Sequence, residues 1–314
     1  MNVHKSIELI PGVDGIHSIR CCFYEPEEPA RAVLQITHGM CEYLERYEAF
    51  ARYLCGRGFA VCGSDHLGHG ELAQAAGELG YFAPKDGWKL LPQDVHRLTL
   101  RMKEHHPALP YFLMGHSMGS FVARCYLELY GKELDGAIIM GTSGGNPFAG
   151  LGIRLAEREI RRHGAFYRSP MLNRLSMGSN NQRFRAEGDQ DSWLTRDQQI
   201  RRAYREDPLC SFVFTSAGFR DLFSLLKQVS RPEWARNVPA DLPILLVSGA
   251  EDPIGDYGRG VKKVFRRLKE AGVEKTTLRL YEGGRHEILN ELNRDEVFQE
   301  LGDYLEGLLK DSRL

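Results

Sequence analysis

Two serines stand in the pattern G-x-S-x-G: Ser117 within GHSMG, residues 115–119, and Ser143 within GTSGG, residues 141–145. The pattern suits a nucleophile, because the flanking glycines let a strand turn sharply into a helix with serine at the apex. A serine hydroxyl attacks poorly until a histidine takes its proton and a carboxylate orients that histidine. Partners of both kinds follow later in the chain. Asp252, with Glu251 second and Asp256 nearby, comes after the apolar run PILLVSG, and His286 comes after TTLRLYEGG. Stabilising an oxyanion takes two N–H donors. The backbone of Met118, next to Ser117, would be one, and that of Met40, in the loop THGMCEYLERY, the other.

Context separates the two serines. YFLM before Ser117 predicts a buried strand, and MGSFVARCYLELYG after it places Met118, Phe121, Val122, Cys125 and Leu129 at helical spacing. The helix N-terminus would aim free N–H groups and its positive dipole end at the reaction centre. Ser143 also follows a strand, but GGNPFAG resists immediate helix formation, so it reads as a loop. His286 is set apart from the other histidines, such as His4, His17, His96, His105, His106 and His163, because it alone follows a late core strand.

Positioning these groups needs a particular scaffold. The runs IHSIRCCFYE, RAVLQITHG, FAVCGSD, PYFLMGHS, LDGAIIMGTS, LPILLVSGAED and TTLRLYEGG predict strands, alternating after the first with helical stretches. That order predicts an α/β fold with a mostly parallel sheet flanked by helices, its first two or three strands forming an antiparallel edge. Residues 146–236 interrupt the alternation and are expected to be an inserted helical cap, with residues 1–145 and 237–314 as the core. From Asn146 to Arg205 this segment holds twelve arginines, six carboxylates and no lysine. Either it attracts an anionic head group such as a phosphate, or its arginines are solvated and paired with Glu157, Glu159, Asp189 and Asp191.

The 314 residues are 42% hydrophobic and 26% charged with a net charge of −1, values for a globular chain without a field that recruits nucleic acid. No apolar run approaches the roughly 20 residues of a membrane span. The N-terminus lacks a signal-peptide pattern, so a cytoplasmic location is expected. Seven scattered cysteines read as reduced thiols rather than disulfides or a metal site. Cys41, beside Met40, is the exception: its oxidation or alkylation would block the site.

The motifs HGMCEYLERY, DHLGHG, GHSMGS, SGAEDPIG and YEGGRHEILNE resemble the monoacylglycerol lipase and lysophospholipase group of the α/β-hydrolases, also grouped with serine aminopeptidase-type hydrolases. The resemblance implies an α/β-hydrolase fold with a cap and a catalytic triad of Ser117, Asp252 and His286. It also implies oxyanion donors at Met40 and Met118 and no cofactor or metal. The implied reaction is hydrolysis of a small-molecule or lipid ester through an acyl-enzyme, with substrate-binding residues in the cap and transient membrane-surface contact there. Aminopeptidase, thioesterase and non-catalytic binding relatives are the alternatives. Cys41 and Tyr43 depart from the group's H-G-x-G-E-H, Leu72 stands where serine is usual, and Ser120 where glycine is frequent.

Overall fold

The computed structural model describes residues 3–311. Eight strands form one sheet: β1 (Val3–Pro11), β2 (Ser18–Pro26), β3 (Ala32–Thr37), β4 (Phe59–Ser64), β5 (Tyr111–His116), β6 (Gly136–Met140), β7 (Ile244–Gly249) and β8 (Thr276–Tyr281). Their order is β1-β2-β4-β3-β5-β6-β7-β8. Strands β3 to β7 are continuously apolar because both faces of the sheet are covered, whereas the edge strands β1 and β8 alternate with exposed positions. Only β1 and β2 are antiparallel to their neighbours. The third strand is not part of that edge: β3 lies parallel between β4 and β5, because the crossover through α1 (Glu48–Cys55) returns the chain in the same direction.

Period-two alternation divides the core. Phe112 and Met114 face α1 and the C-terminal helix α10 (Arg294–Asp311), which contribute Phe50, Leu54, Phe298 and Leu301. Tyr111 and Leu113 face the other layer, built from α3 (Gly87–His105), α4 (Met118–Tyr130) and α9 (Arg259–Glu270). A short helix that the sequence pattern does not announce, α2 (Gly70–Ala76), follows β4.

Between β6 and β7 the chain carries α5 (Ala149–His163), α6 (Pro170–Met177), α7 (Gln198–Glu206) and α8 (Ser216–Ser230). Helix α5 packs on α8, and α8 in turn packs on α3 and α4. Fully buried Arg124 of α4 reaches the segment's start and end at once, donating to the carbonyls of Ser143 at 3.0 Å and Val229 at 2.5 Å. Its guanidinium also lies 4.3 Å from the Trp234 ring.

Candidate active site

The loops at the carboxyl ends of β3, β5, β7 and β8 converge on Ser117. Its φ of 54° and ψ of −121° lie outside the helical and extended wells, the strained apex of a strand-to-helix turn. Glycine is required on either side of it. A Cβ on Gly115 would stand 2.4 Å from the Gly119 carbonyl, and one on Gly119 would stand 2.1 Å from the Thr37 carbonyl.

Ser117 Oγ is 2.8 Å from His286 Nε2, and His286 Nδ1 is 3.0 Å from Asp252 Oδ1. Asp252 is fully buried and also accepts hydrogen bonds from the Ile254 amide at 2.9 Å and the Ser248 hydroxyl at 3.1 Å. Burial alone would raise its pKa, but the adjacent His286 and these donors hold the carboxyl below its usual range. Glu251 points outward, half-exposed, with Arg183 3.7 Å away, and Asp256 pairs with Arg259. The His286 ring lies between those of Trp193 and His116, at centroid distances of 5.1 and 4.7 Å. Of the competing histidines, His17 pairs with Asp14 and Glu78, His96 with Glu133 and His106 with Glu25, all away from Ser117.

Met118 opens α4, and its amide has no protein acceptor among the described residues; the same holds for Met40. The Met40 loop is tied on both sides. Gly39 N–H donates to Glu42 Oε1 at 2.5 Å, and Cys41 N–H donates to His69 Nε2 at 3.3 Å. Burial keeps His69 neutral, its pKa pulled down to about 3, so the nitrogen remains an acceptor. His38 shapes the loop's start, with Nδ1 2.8 Å from the Gly39 carbonyl and Nε2 accepting the His66 amide at 3.0 Å. Cys41 is buried, and burial pushes its thiol well above the ordinary value, so the thiolate needed for oxidation or alkylation is scarce.

A buried network beside the triad is not visible in the motif pattern. Glu42 also accepts from Tyr47 Oη at 2.8 Å and lies 3.1 Å from His116 Nδ1. Arg46 donates to Glu42 at 3.0 Å and forks onto both oxygens of Glu287, each at 2.8 Å. The signal was available only as neighbours of the motif residues, since His116 precedes Ser117 and Glu287 follows His286. Ser143 lies on the loop after β6, where its hydroxyl accepts the Gly145 amide at 3.1 Å. Ser120 Oγ donates to the Ser117 carbonyl at 2.5 Å, while Leu72 lies on the surface of α2.

Ser117 and His286 open into a cavity of about 480 Å³ whose walls include Phe121, Phe148, Leu175, Trp193, Phe223 and Ile254. The charged residues lining it are His286 and His116, if protonated, and the acids Glu42, Asp256 and Glu287; no arginine does. Among the cap arginines, Arg205 pairs with Asp189 and Asp191, Arg201 with Glu187 and Asp189, and Arg196 with Glu291.

The family model described as serine aminopeptidase, S33, matches residues 28–293. The chain belongs to this family. Within the S33 family it is 30% identical over 304 residues to the monoglyceride lipase of Homo sapiens, covering 95% of this chain and 89% of the relative. It is 24% identical to the monoacylglycerol lipase of Mycolicibacterium smegmatis, over 96% of this chain and 97% of that one. A solved structure of a thermostable carboxyl esterase from Bacillus coagulans, in complex with glycerol, superposes with a TM-score of 0.91 at 29% identity, covering 98% of this chain and 100% of that chain. The S33 member described here has the α/β-hydrolase fold.

Proposed function

We propose that Ser117 is the nucleophile, His286 the general base and Asp252 the residue that orients His286. The observation that carries this reading is the unbroken hydrogen-bonded chain from Ser117 Oγ through His286 to buried Asp252, at a strained strand-to-helix turn. The protein is a monoacylglycerol lipase-like hydrolase of carboxylic esters. His286 takes the Ser117 proton as the oxygen attacks the ester carbonyl, and the Met40 and Met118 amides hold the oxyanion. Collapse breaks the ester C–O bond, and the alcohol leaves with the proton from His286. Water, deprotonated by His286, then splits the acyl-serine and frees the acid.

The substrate of this reading is a neutral acyl-chain ester such as a monoacylglycerol. Aromatic and aliphatic walls suit an acyl chain, and among the described residues no arginine or lysine lines the cavity to hold an anionic head group. Residues 146–236 act as the cap, and α5 and α6 touch lipid surfaces transiently. Support for that contact comes from Phe148, Leu151, Phe166, Met171 and Leu175, all solvent-exposed beside Arg154, Arg158, Arg161 and Arg174. Among the described residues no helix is long and apolar enough to cross a membrane. Seven free, buried cysteines suit the reducing cytoplasm, which is the proposed location.

A panel of p-nitrophenyl esters of rising chain length, monoacylglycerols, lysophospholipids and aminoacyl anilides tests the assignment. Neutral monoacylglycerols should exceed lysophospholipids about tenfold or more in kcat/KM at both low and high salt. A preference for lysophospholipids that weakens with salt would overturn the neutral-substrate reading.

A further inference from the structure

The loop that carries Met40 is held from the core side by Glu42, His69 and Asp65, the last accepting the Leu44 amide at 2.9 Å. It is also held from the opposite side, by the segment 204–212, which runs from the last turn of α7 toward α8. Tyr43 Oη donates to Asp207 Oδ2 at 2.8 Å, Cys41 Sγ donates to the Phe212 carbonyl at 3.0 Å, and the Arg46 guanidinium lies 4.9 Å from the Tyr204 ring centre. Cys41 and Tyr43 are the two positions at which this loop departs from H-G-x-G-E-H. Both departures point their functional atoms at the same stretch of chain.

Each side of the contact is built to keep its shape. Cys41 has a φ of 55°, a left-handed conformation that favours glycine, so its backbone stays there at a steric cost that only glycine escapes. Segment 204–212 is closed on itself. The Cys210 amide donates to the Asp207 carbonyl at 3.0 Å, the Leu209 amide to Asp207 Oδ1 at 2.8 Å, and Ser211 Oγ to the Tyr204 carbonyl at 3.0 Å. Asp207 therefore offers one carboxylate oxygen to its own turn and the other to Tyr43.

We propose that Cys41 and Tyr43 are positioning residues that latch the Met40 loop to segment 204–212. The direction of the Met40 N–H is then set jointly by the core and by the segment over the site. Displacing 204–212 loosens the donor while leaving Ser117, His286 and Asp252 in place. The inference rests on the acyl-enzyme reading, in which Met40 supplies an oxyanion donor.

Steady-state kinetics on p-nitrophenyl butyrate, together with thermal unfolding, tests the latch in the full chain with Tyr43→Phe, Asp207→Ala, their double variant and Cys41→Gly. Tyr43→Phe and Asp207→Ala should each lower kcat about tenfold with KM within about twofold, a partial loss of the 10²- to 10³-fold contribution of one donor. The double variant should be no slower than the slower single, because both substitutions break one hydrogen bond. Cys41→Gly relaxes the backbone, so it should lower kcat while Tm holds or rises. A lowered Tm with unchanged kcat, or losses that multiply in the double variant, would overturn the latch. Turnover surviving Ser117→Ala would instead overturn the acyl-enzyme reading, so the two failures are distinct.

Discussion

At the scale of single residues, the pair Glu42 and His116 explains how charge is kept next to the reaction centre without disturbing it. Burial would raise Glu42, yet His116 and Arg46 hold it well below its usual 4.5. Burial would lower His116, yet the hydrogen bond and charge of Glu42 raise it above 6.5. A lowered carboxyl adds stability that is present above pH 4.5 and lost as pH falls through its folded value. A raised imidazole adds stability that is present below pH 6.5 and lost as pH rises through its folded value. The pair thus stabilises most between those two values. The Tm gap between the wild type and His116→Gln should be wider near pH 6 than near pH 9, measured by calorimetry in matched buffers. A gap of equal size at both would mean that the imidazolium is not what Glu42 stabilises. In the sequence Asp252 ranks above Glu251 because it follows its strand in the tight GAEDP turn, and in the structure Asp252 is buried while Glu251 stays half-exposed.

At the scale of elements, the turn at Ser117 depends on close backbone approach, and α4 depends on Arg124. Among the described residues this arginine has no carboxylate partner, and burial pulls its pKa down to about 9. It is held by the carbonyls of Ser143, just after β6, and Val229, in the last turn of α8, and by the Trp234 face. Arg124→Leu would leave the Ser143 carbonyl without its donor and the Val229 carbonyl with only the long 3.5 Å bond from Arg267, costing about 2–4 kcal/mol, or a Tm lower by about 5 °C or more. An unchanged Tm would show that these carbonyls find other donors. Seven of the eight strands, the main helices and the loops between them were legible in the sequence because apolar runs and 3.6-residue periodicity are local signals; β1 was not legible, as VHKSIELIP buries only Ile10. The placement of β3 inside the parallel sheet was not, since pairing partners are set by the crossover through α1. Helix α2 escaped notice because GELAQAA is short and buries only Gly70 and Ala73.

At the scale of the whole molecule, the carboxyl edge of the sheet brings the proposed site residues from Met40 to His286 together, and residues between β6 and β7 line the cavity beside them. The proposed order serine, acid, histidine is set out along the chain, because each candidate follows a strand of a parallel sheet whose carboxyl ends share one edge. The network of Glu42, Arg46, His116 and Glu287, and the ties from Tyr43 and Cys41 to residues 207–212, were not readable. They depend on side chains meeting across as many as 241 positions of sequence. The arginine-rich composition of the segment likewise gave two readings, and the pairing of Arg196, Arg201 and Arg205 with nearby carboxylates, beside the apolar cavity walls, favours the neutral-substrate one. The most direct test of the central claim is labelling with a fluorophosphonate, followed by peptide mapping and by turnover of Ser117→Ala. The label should sit on Ser117, and Ser117→Ala should lose about 10⁴-fold or more of its esterase turnover with an unchanged Tm. A label on Ser143, or substantial turnover in Ser117→Ala, would contradict the account.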